Sequence, residues 1–168
     1  MKNIEMKARL LDRRAAEDRL RAMGAREAWT ARQTDTFFTV AQGWLKVREA
    51  DGRPAEVISY RRSTGEAGPR PSDYDVLVVP DGEAWRRLLA RVLPVRGVVK
   101  KERTLWLHRH TRVHLDRVDG LGEFLELEAV VEGIGESEAR AEADALLAAV
   151  GAAVGDMVPV PYLELLAR

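Results

Sequence analysis

The sequence predicts an α+β fold, a closed eight-stranded antiparallel β-barrel with helices packed on its outside. Three observations carry this. About eight segments read as strands, the clearest with apolar and polar residues alternating at every second position. Most of them follow one another as hairpins, through turn signals such as Asp51-Gly52 and Asp119-Gly120, which argues for an antiparallel sheet. Eight strands within 168 residues favour closure into a barrel over an open sheet.

Taken in order, Ile4, Met6, Ala8 and Leu10 alternate with Asn3, Glu5, Lys7 and Arg9, a period of two that means a strand over 2–10. Asp12 caps a helix over 13–23, which Gly24 ends. Thr34–Val40, rich in Thr and Phe, reads as a strand, and Gly43 opens a turn into Trp44–Glu49. Glu56–Arg62 follows the Asp51-Gly52 turn. Ser63–Ser72, with two Gly and two Pro, reads as a hairpin loop, with a lid over the barrel as its alternative. Asp73–Val79 is the next strand. Pro80-Asp81-Gly82 starts a helix over 83–92 with Trp85, Leu88, Leu89 and Val92 on one side. Val95–Leu107, Arg112–Val118 and Gly122–Val131 complete the strands. Ser137–Val150 is a helix with Glu138 near its positive end, and Tyr162–Leu166 is a short one. No internal repeat or second domain is evident, so 1–168 reads as one domain.

The bulk properties exclude several functions. With 27 basic and 27 acidic residues, net charge offers nothing to nucleic acid or to an anionic membrane, and neither is expected as a partner. No cysteine is present, which excludes disulfides and thiolate metal sites and fits a reducing cytoplasm. MKNIEMKARLL lacks a signal peptide's apolar run, and the longest apolar stretch, Ala145–Val150, is far short of a membrane span. A cytoplasmic location is expected. A homodimer is compatible with the sequence.

Charge placement is more informative. Glu5 and Lys7 share one strand face, as do Lys46 and Arg48, Lys101 and Arg103, Glu126 and Glu128, and the set Arg112, His114 and Asp116. On any single strand a solvated face is the bland explanation. If these faces converge inside a barrel, like charges crowd: two unit charges about 4 Å apart repel by about 4 kcal/mol at an effective dielectric near 20. A polyphosphate with a divalent metal relieves this, Lys and Arg taking phosphate oxygens and carboxylates taking Mg²⁺ or Mn²⁺. The alternatives fail. No Gly-rich loop ending in Lys-Ser/Thr opens a helix, His108, His110 and His114 lack zinc spacing, and no serine stands in a nucleophile elbow. His108 and His110 read as surface residues, while His114 neighbours the cavity. Trp29, Trp44, Trp85 and Trp106 are scattered over different elements and read as packing residues, with Trp44 or Trp106 the candidates to stack on adenine at a barrel mouth.

These residues also fall into an ordered series. Ile4-Glu5-Met6-Lys7, Gln33-Thr34-Asp35-Thr36-Phe37-Phe38, Leu45-Lys46-Val47-Arg48-Glu49, Ile58-Ser59-Tyr60-Arg61, Lys101-Glu102-Arg103, His114-Leu115-Asp116, Leu121-Gly122-Glu123-Phe124-Leu125-Glu126-Leu127-Glu128 and Pro161-Tyr162-Leu163-Glu164-Leu165-Leu166 follow in turn. The series resembles the CYTH family, which contains class IV adenylate cyclases and thiamine triphosphatases. The resemblance implies a triphosphate tunnel. Lys7, Lys46, Arg48, Arg61, Lys101 and Arg103 would then grip phosphate, and Glu5, Glu126 and Glu128 would hold Mg²⁺ or Mn²⁺. Asp116 would be a metal ligand or a base, with Lys7 beside it in catalysis. Arg112 joins the phosphate binders by strand parity, and of the adjacent Arg61-Arg62 pair only one can face inward, Arg61 by the resemblance. Asn3 stands where the family's signature has its first Glu, and Lys46 where Arg is common.

The implied activity is a cyclase making cyclic AMP and pyrophosphate from ATP. Its rivals are a hydrolase of inorganic triphosphate, thiamine triphosphate or a nucleoside triphosphate, and a non-catalytic polyphosphate or nucleotide binder.

Overall fold

The computed structural model describes residues 2–62, 70–152 and 156–168. Its elements are β1 Lys2–Arg9, α1 Arg13–Ala22, β2 Arg26–Phe38, β3 Trp44–Ala50, β4 Ala55–Arg62, β5 Arg70–Val79, α2 Gly82–Val92, β6 Val95–His108, β7 Thr111–Val118, β8 Gly122–Val130, α3 Glu136–Val150 and α4 Tyr162–Leu166. All strand pairs are antiparallel and the ring closes as β1-β5-β4-β3-β2-β6-β7-β8. The eight strands and four helices expected are therefore present.

Three expectations need correcting. β2 begins at Arg26, not Thr34. Its first half has a solvent-exposed outer face at Thr30 and Arg32 and a polar or small inner one at Ala31 and Gln33, so no apolar alternation marks it. Of the predicted loop over 63–72, residues 70–72 belong to β5, and the rest, with the lid reading, lies outside the described residues. A repeat does exist, in the order of elements. The chain runs β-α-β-β-β twice, and exchanging β1–β4 for β5–β8 maps the ring onto itself.

The barrel inverts the usual distribution of polarity. Ile4, Met6 and Ala8 of β1, Val113 and Leu115 of β7, and Leu125, Leu127 and Ala129 of β8 face outward, where they are buried with Trp106 under α1 and α3. Ala16, Ala139 and Ala143 let those helices lie close, and Leu20, Leu146 and Leu147 fill the layer. Asp12 caps α1 by accepting the Ala15 N–H at 2.9 Å, and Arg19 of α1 donates to the Val150 carbonyl at the end of α3 at 2.7 Å. With its outer face so covered, the wall is free to present charge inward. By contrast α2 leaves Leu88 and Val92 more than half exposed, so its expected apolar side is only partly covered.

One end of the barrel is filled. Phe37, Val99, Val118 and Phe124 pack there against Val158, Tyr162 and Leu163 of the C-terminal segment. Gly97 permits this, because a Cβ at that position would stand 2.6 Å from Leu163 Cδ1. The chain also crosses back over β1 here, with the Val158 N–H donating to the Lys7 carbonyl at 2.8 Å. No described helix is long and apolar enough to cross a membrane.

Candidate active site

Alternation along each strand sends every second side chain into the barrel, where they line a cavity of about 410 Å³. Of the residues assigned from sequence, Glu5, Lys7, Lys46, Arg48, Lys101, Arg103, Arg112, Glu126 and Glu128 all border it. Arg61 and Asp116 do not.

Arg61 is exposed on the outer face of β4, because Ile58 and Tyr60 take the inward positions. The assignment of Arg61 to phosphate binding is therefore overturned. Asp116 points inward but is fully buried behind Lys101 and Arg103. Its Oδ1 accepts from Arg103 Nε at 2.7 Å, and its Oδ2 from Arg103 Nη2 at 2.6 Å, Lys101 Nζ at 3.1 Å and Tyr162 OH at 3.0 Å. Four donors occupy this carboxylate, and it has no free face toward a metal or a substrate proton.

The adjoining wall, β2 and β3, repeats the arrangement with an acid that sequence reasoning assigned no role. Asp35 of β2 pairs in register with Arg48 of β3. Its Oδ1 accepts from Arg48 Nε at 2.7 Å, and its Oδ2 from Arg48 Nη2 and Lys46 Nζ, each at 2.9 Å. Each Lys-x-Arg pair is thus gripped by one buried aspartate on a neighbouring strand, with the arginine held bidentate. Burial alone would raise the Asp35 carboxyl, but Arg48 and Lys46 overcome it and hold the group well below the usual carboxylate range. Asp116 likewise drops to about 2, where Arg103 and Lys101 outweigh burial. Burial pushes the Lys46 ammonium down to about 7, with Arg48 adding to the fall and Asp35 opposing it. Lys101 is lowered for the same reasons, burial first and then Arg103. Both lysines therefore carry an unsatisfied preference for more negative charge nearby.

Carboxylates line the wall formed by β1 and β8. Glu126 receives Lys7 Nζ at 3.0 Å and the Arg103 guanidinium. Glu128 lies 3.0 Å from Arg112 Nε and 3.4 Å from His114 Nε2. Burial would raise both acids, yet Lys7 and Arg103 hold Glu126, and His114 and Arg112 hold Glu128, well below the normal value. Glu5 stands directly across the ladder from Glu128, a pairing of like charges that a cation between them would relieve. Among the described residues no group of three or more His, Asp or Glu side chains converges as a preformed metal site. The donor chemistry nevertheless fits Mg²⁺ or Mn²⁺, because such ions are commonly held by one or two carboxylates with phosphate oxygens completing the shell. Asn3, in the orientation that satisfies its neighbours, accepts from Arg112 Nη2 at 2.9 Å and donates to the Lys2 carbonyl, so its oxygen serves to position Arg112. Among the described residues Gln33 Oε1 and His114 Nδ1, buried at the cavity wall, have no hydrogen-bond partner.

Among the described residues the cavity is closed at one end and open at the other. Pro161 and Tyr162 close it beside Lys7, whose Nζ lies 3.9 Å from the centre of the Tyr162 ring. Trp29, Arg53, Glu56 and Val78 surround the other end. Trp44, a candidate for stacking on adenine, instead stacks on Tyr60 at the closed end, and Trp106 is buried outside the barrel.

The CYTH domain family model matches residues 1–150. No curated protein matches the sequence significantly. Among solved structures, PH1012 of Pyrococcus horikoshii superposes with a TM-score of 0.85 at 23% identity, covering 97% of this chain and 98% of that one. A Vibrio parahaemolyticus protein proposed as an adenylate cyclase gives a TM-score of 0.79 at 18% identity, with 99% and 98% coverage. HpAC1 of Hippeastrum, described as having a dominant triphosphatase activity, gives 0.61 at 17% identity, with 89% and 88% coverage. At these identities the structures speak to the fold.

Proposed function

Because the chain belongs to the CYTH family, we propose that it is a divalent-metal-dependent enzyme acting on a triphosphate, with conversion of ATP to cyclic AMP and pyrophosphate as its reaction. The observation that carries this is the polarity of the cavity along its length. Lys7, Lys46 and Lys101 lie toward the closed end, whereas Glu5 and Glu128 lie toward the mouth. A triphosphate entering terminal group first buries its outer phosphates among the lysines and leaves its α-phosphorus level with the mouth carboxylates.

In that pose Lys46, Arg48, Lys101 and Arg103 bind the outer phosphates and neutralise charge on the departing pyrophosphate. Asp35 and Asp116 keep the two arginines in fixed orientations. Lys7 and Arg112 extend the cationic lining on the β1 and β7 sides. Glu5, Glu126 and Glu128 would hold Mg²⁺ or Mn²⁺, which supplies Lewis-acid neutralisation beside the phosphorus under attack. Glu128 or His114 would accept the proton from the ribose 3′-hydroxyl. Asp116 is withdrawn from the role of base or metal ligand and becomes a positioning residue for Lys101 and Arg103. The reading places the protein in the cytoplasm, where ATP is abundant.

A second reading is hydrolysis of the terminal phosphate. It is favoured by Glu126, which sits one step deeper than Glu128 and contacts Lys7 and Arg103, within reach of the outer phosphates. Incubation with ATP, and separately with inorganic triphosphate, each with Mg²⁺ or Mn²⁺, separates the two. Cyclic AMP without orthophosphate supports the cyclase. Orthophosphate without cyclic AMP selects the hydrolase, and saturable binding without turnover leaves only a triphosphate binder.

A further inference from the structure

We propose that Trp29 and Arg53 form a subsite at the mouth that stacks on the planar heterocycle of a nucleoside triphosphate. This rests on the triphosphate reading above and adds the substrate's head group to it. Trp29 borders the cavity although sequence reasoning made it a packing residue. The cause is the strand's own alternation. The β2–β6 ladder is regular from Trp29 opposite Leu105 through Thr36 opposite Val98, so Trp29 shares the inward parity of Ala31, Gln33 and Asp35. Ala28 is an extra residue that ends this regular stretch at the rim.

Arg53 comes from the turn joining β3 to β4, where its N–H donates to the Ala50 carbonyl at 3.2 Å. Its guanidinium carbon lies 4.2 Å from the centre of the Trp29 ring. Among the described residues the Arg53 guanidinium forms no ion pair, and it rests over the indole. Pro54, Val78 and Leu105 border the cavity beside this pair. Apart from Glu56, the lining beside the pair is apolar, and a flat indole among apolar residues suits an aromatic ring rather than a phosphate.

The spacing agrees. Arg103 pairs with Ala31 and Leu105 with Trp29, so the indole stands two residues, about 7 Å, up the strand from the Arg103 phosphate-binding level. With the outer phosphates at Arg103, the α-phosphate and ribose lead from that level toward the mouth and deliver a base to Trp29. An inorganic triphosphate would occupy the cavity without reaching it.

Titration calorimetry with inorganic triphosphate and with α,β-methylene-ATP, each in Mg²⁺, tests this. Trp29→Ala is expected to weaken the nucleotide analogue about tenfold or more while changing inorganic triphosphate less than twofold. Trp29→Phe should keep most of the nucleotide affinity, and Arg53→Ala, at an exposed turn position that folding tolerates, should weaken the nucleotide selectively. Unchanged nucleotide affinity in both alanine variants overturns the subsite, and so does an equal loss for both ligands. If neither ligand binds the wild-type protein, the triphosphate reading itself fails, a separate result.

Discussion

Replacing Asp35 by Asn preserves the side chain's shape but removes the charge that holds Lys46 and Arg48. The carboxylate is buried at 2% exposure and accepts three charge-assisted hydrogen bonds. Removing one partner of a buried ion pair costs about 3–5 kcal/mol, since the remaining charges stay desolvated. At about 2–4 °C per kcal/mol for a chain of this size, the melting temperature should fall by on the order of 10 °C. Inorganic triphosphate supplies the missing negative charge, so the melting temperature should rise more on saturation in Asp35→Asn than in the wild type. Thermal melts of both proteins, with and without triphosphate, measure this. A loss below about 1 kcal/mol, or a ligand-induced rise smaller in the variant, would refute the claim that Asp35 holds a phosphate-binding pair in place of an anion.

Glu126→Gln or Glu128→Gln should abolish metal-dependent turnover while circular dichroism shows a folded protein; full activity in both would remove the carboxylates from the metal site. Triphosphate favours charged Lys46, whose ammonium lies near 7 against an ordinary 10.5, so binding above pH 7 should take up a proton. Affinity should then fall as pH rises, by up to about tenfold per unit from this group. Calorimetry in buffers of different ionisation heat counts the proton, and Lys46→Arg, which stays charged, should reduce the uptake at pH 8 by close to one; an unchanged count would contradict the assignment. Arg61→Ala, on the outer face, should leave triphosphate affinity within about twofold, and a larger loss would return it to the cavity.

How far the site was legible depends on which physical signal each residue carries. Glu5-x-Lys7, Lys46-x-Arg48, Lys101-x-Arg103 and Glu126-x-Glu128 were readable because a strand's period of two puts each pair on one face, and in three of them an apolar residue, Met6, Val47 or Leu127, fixes the other. Arg61 was assigned from the resemblance, whereas β4 turns Ile58 and Tyr60 inward and leaves Arg61 on the outer face. Asp35 is a lone acid among Thr and Phe, and its meaning comes from β2–β3 register, which places it opposite Arg48. Asp116 was found by motif, but four donors around one carboxylate are a fact of packing that no spacing reveals. Trp29 was missed because the first half of β2 was not read as a strand, so its inward parity with Ala31 and Gln33 went unused. The barrel itself was readable from hairpin succession, while the first half of β2, solvated outside and polar or small within, had no alternation to detect.

The central claim is that the inward Lys-x-Arg pairs grip a triphosphate. Titration of inorganic triphosphate with Mg²⁺ into the wild-type protein and into Lys46→Ala/Arg48→Ala tests it most directly. The account predicts saturable binding by the wild type and a loss of at least a hundredfold in the double variant, with the barrel still folded. Equal affinity in the two proteins would return these residues to structural ion pairs and contradict the account.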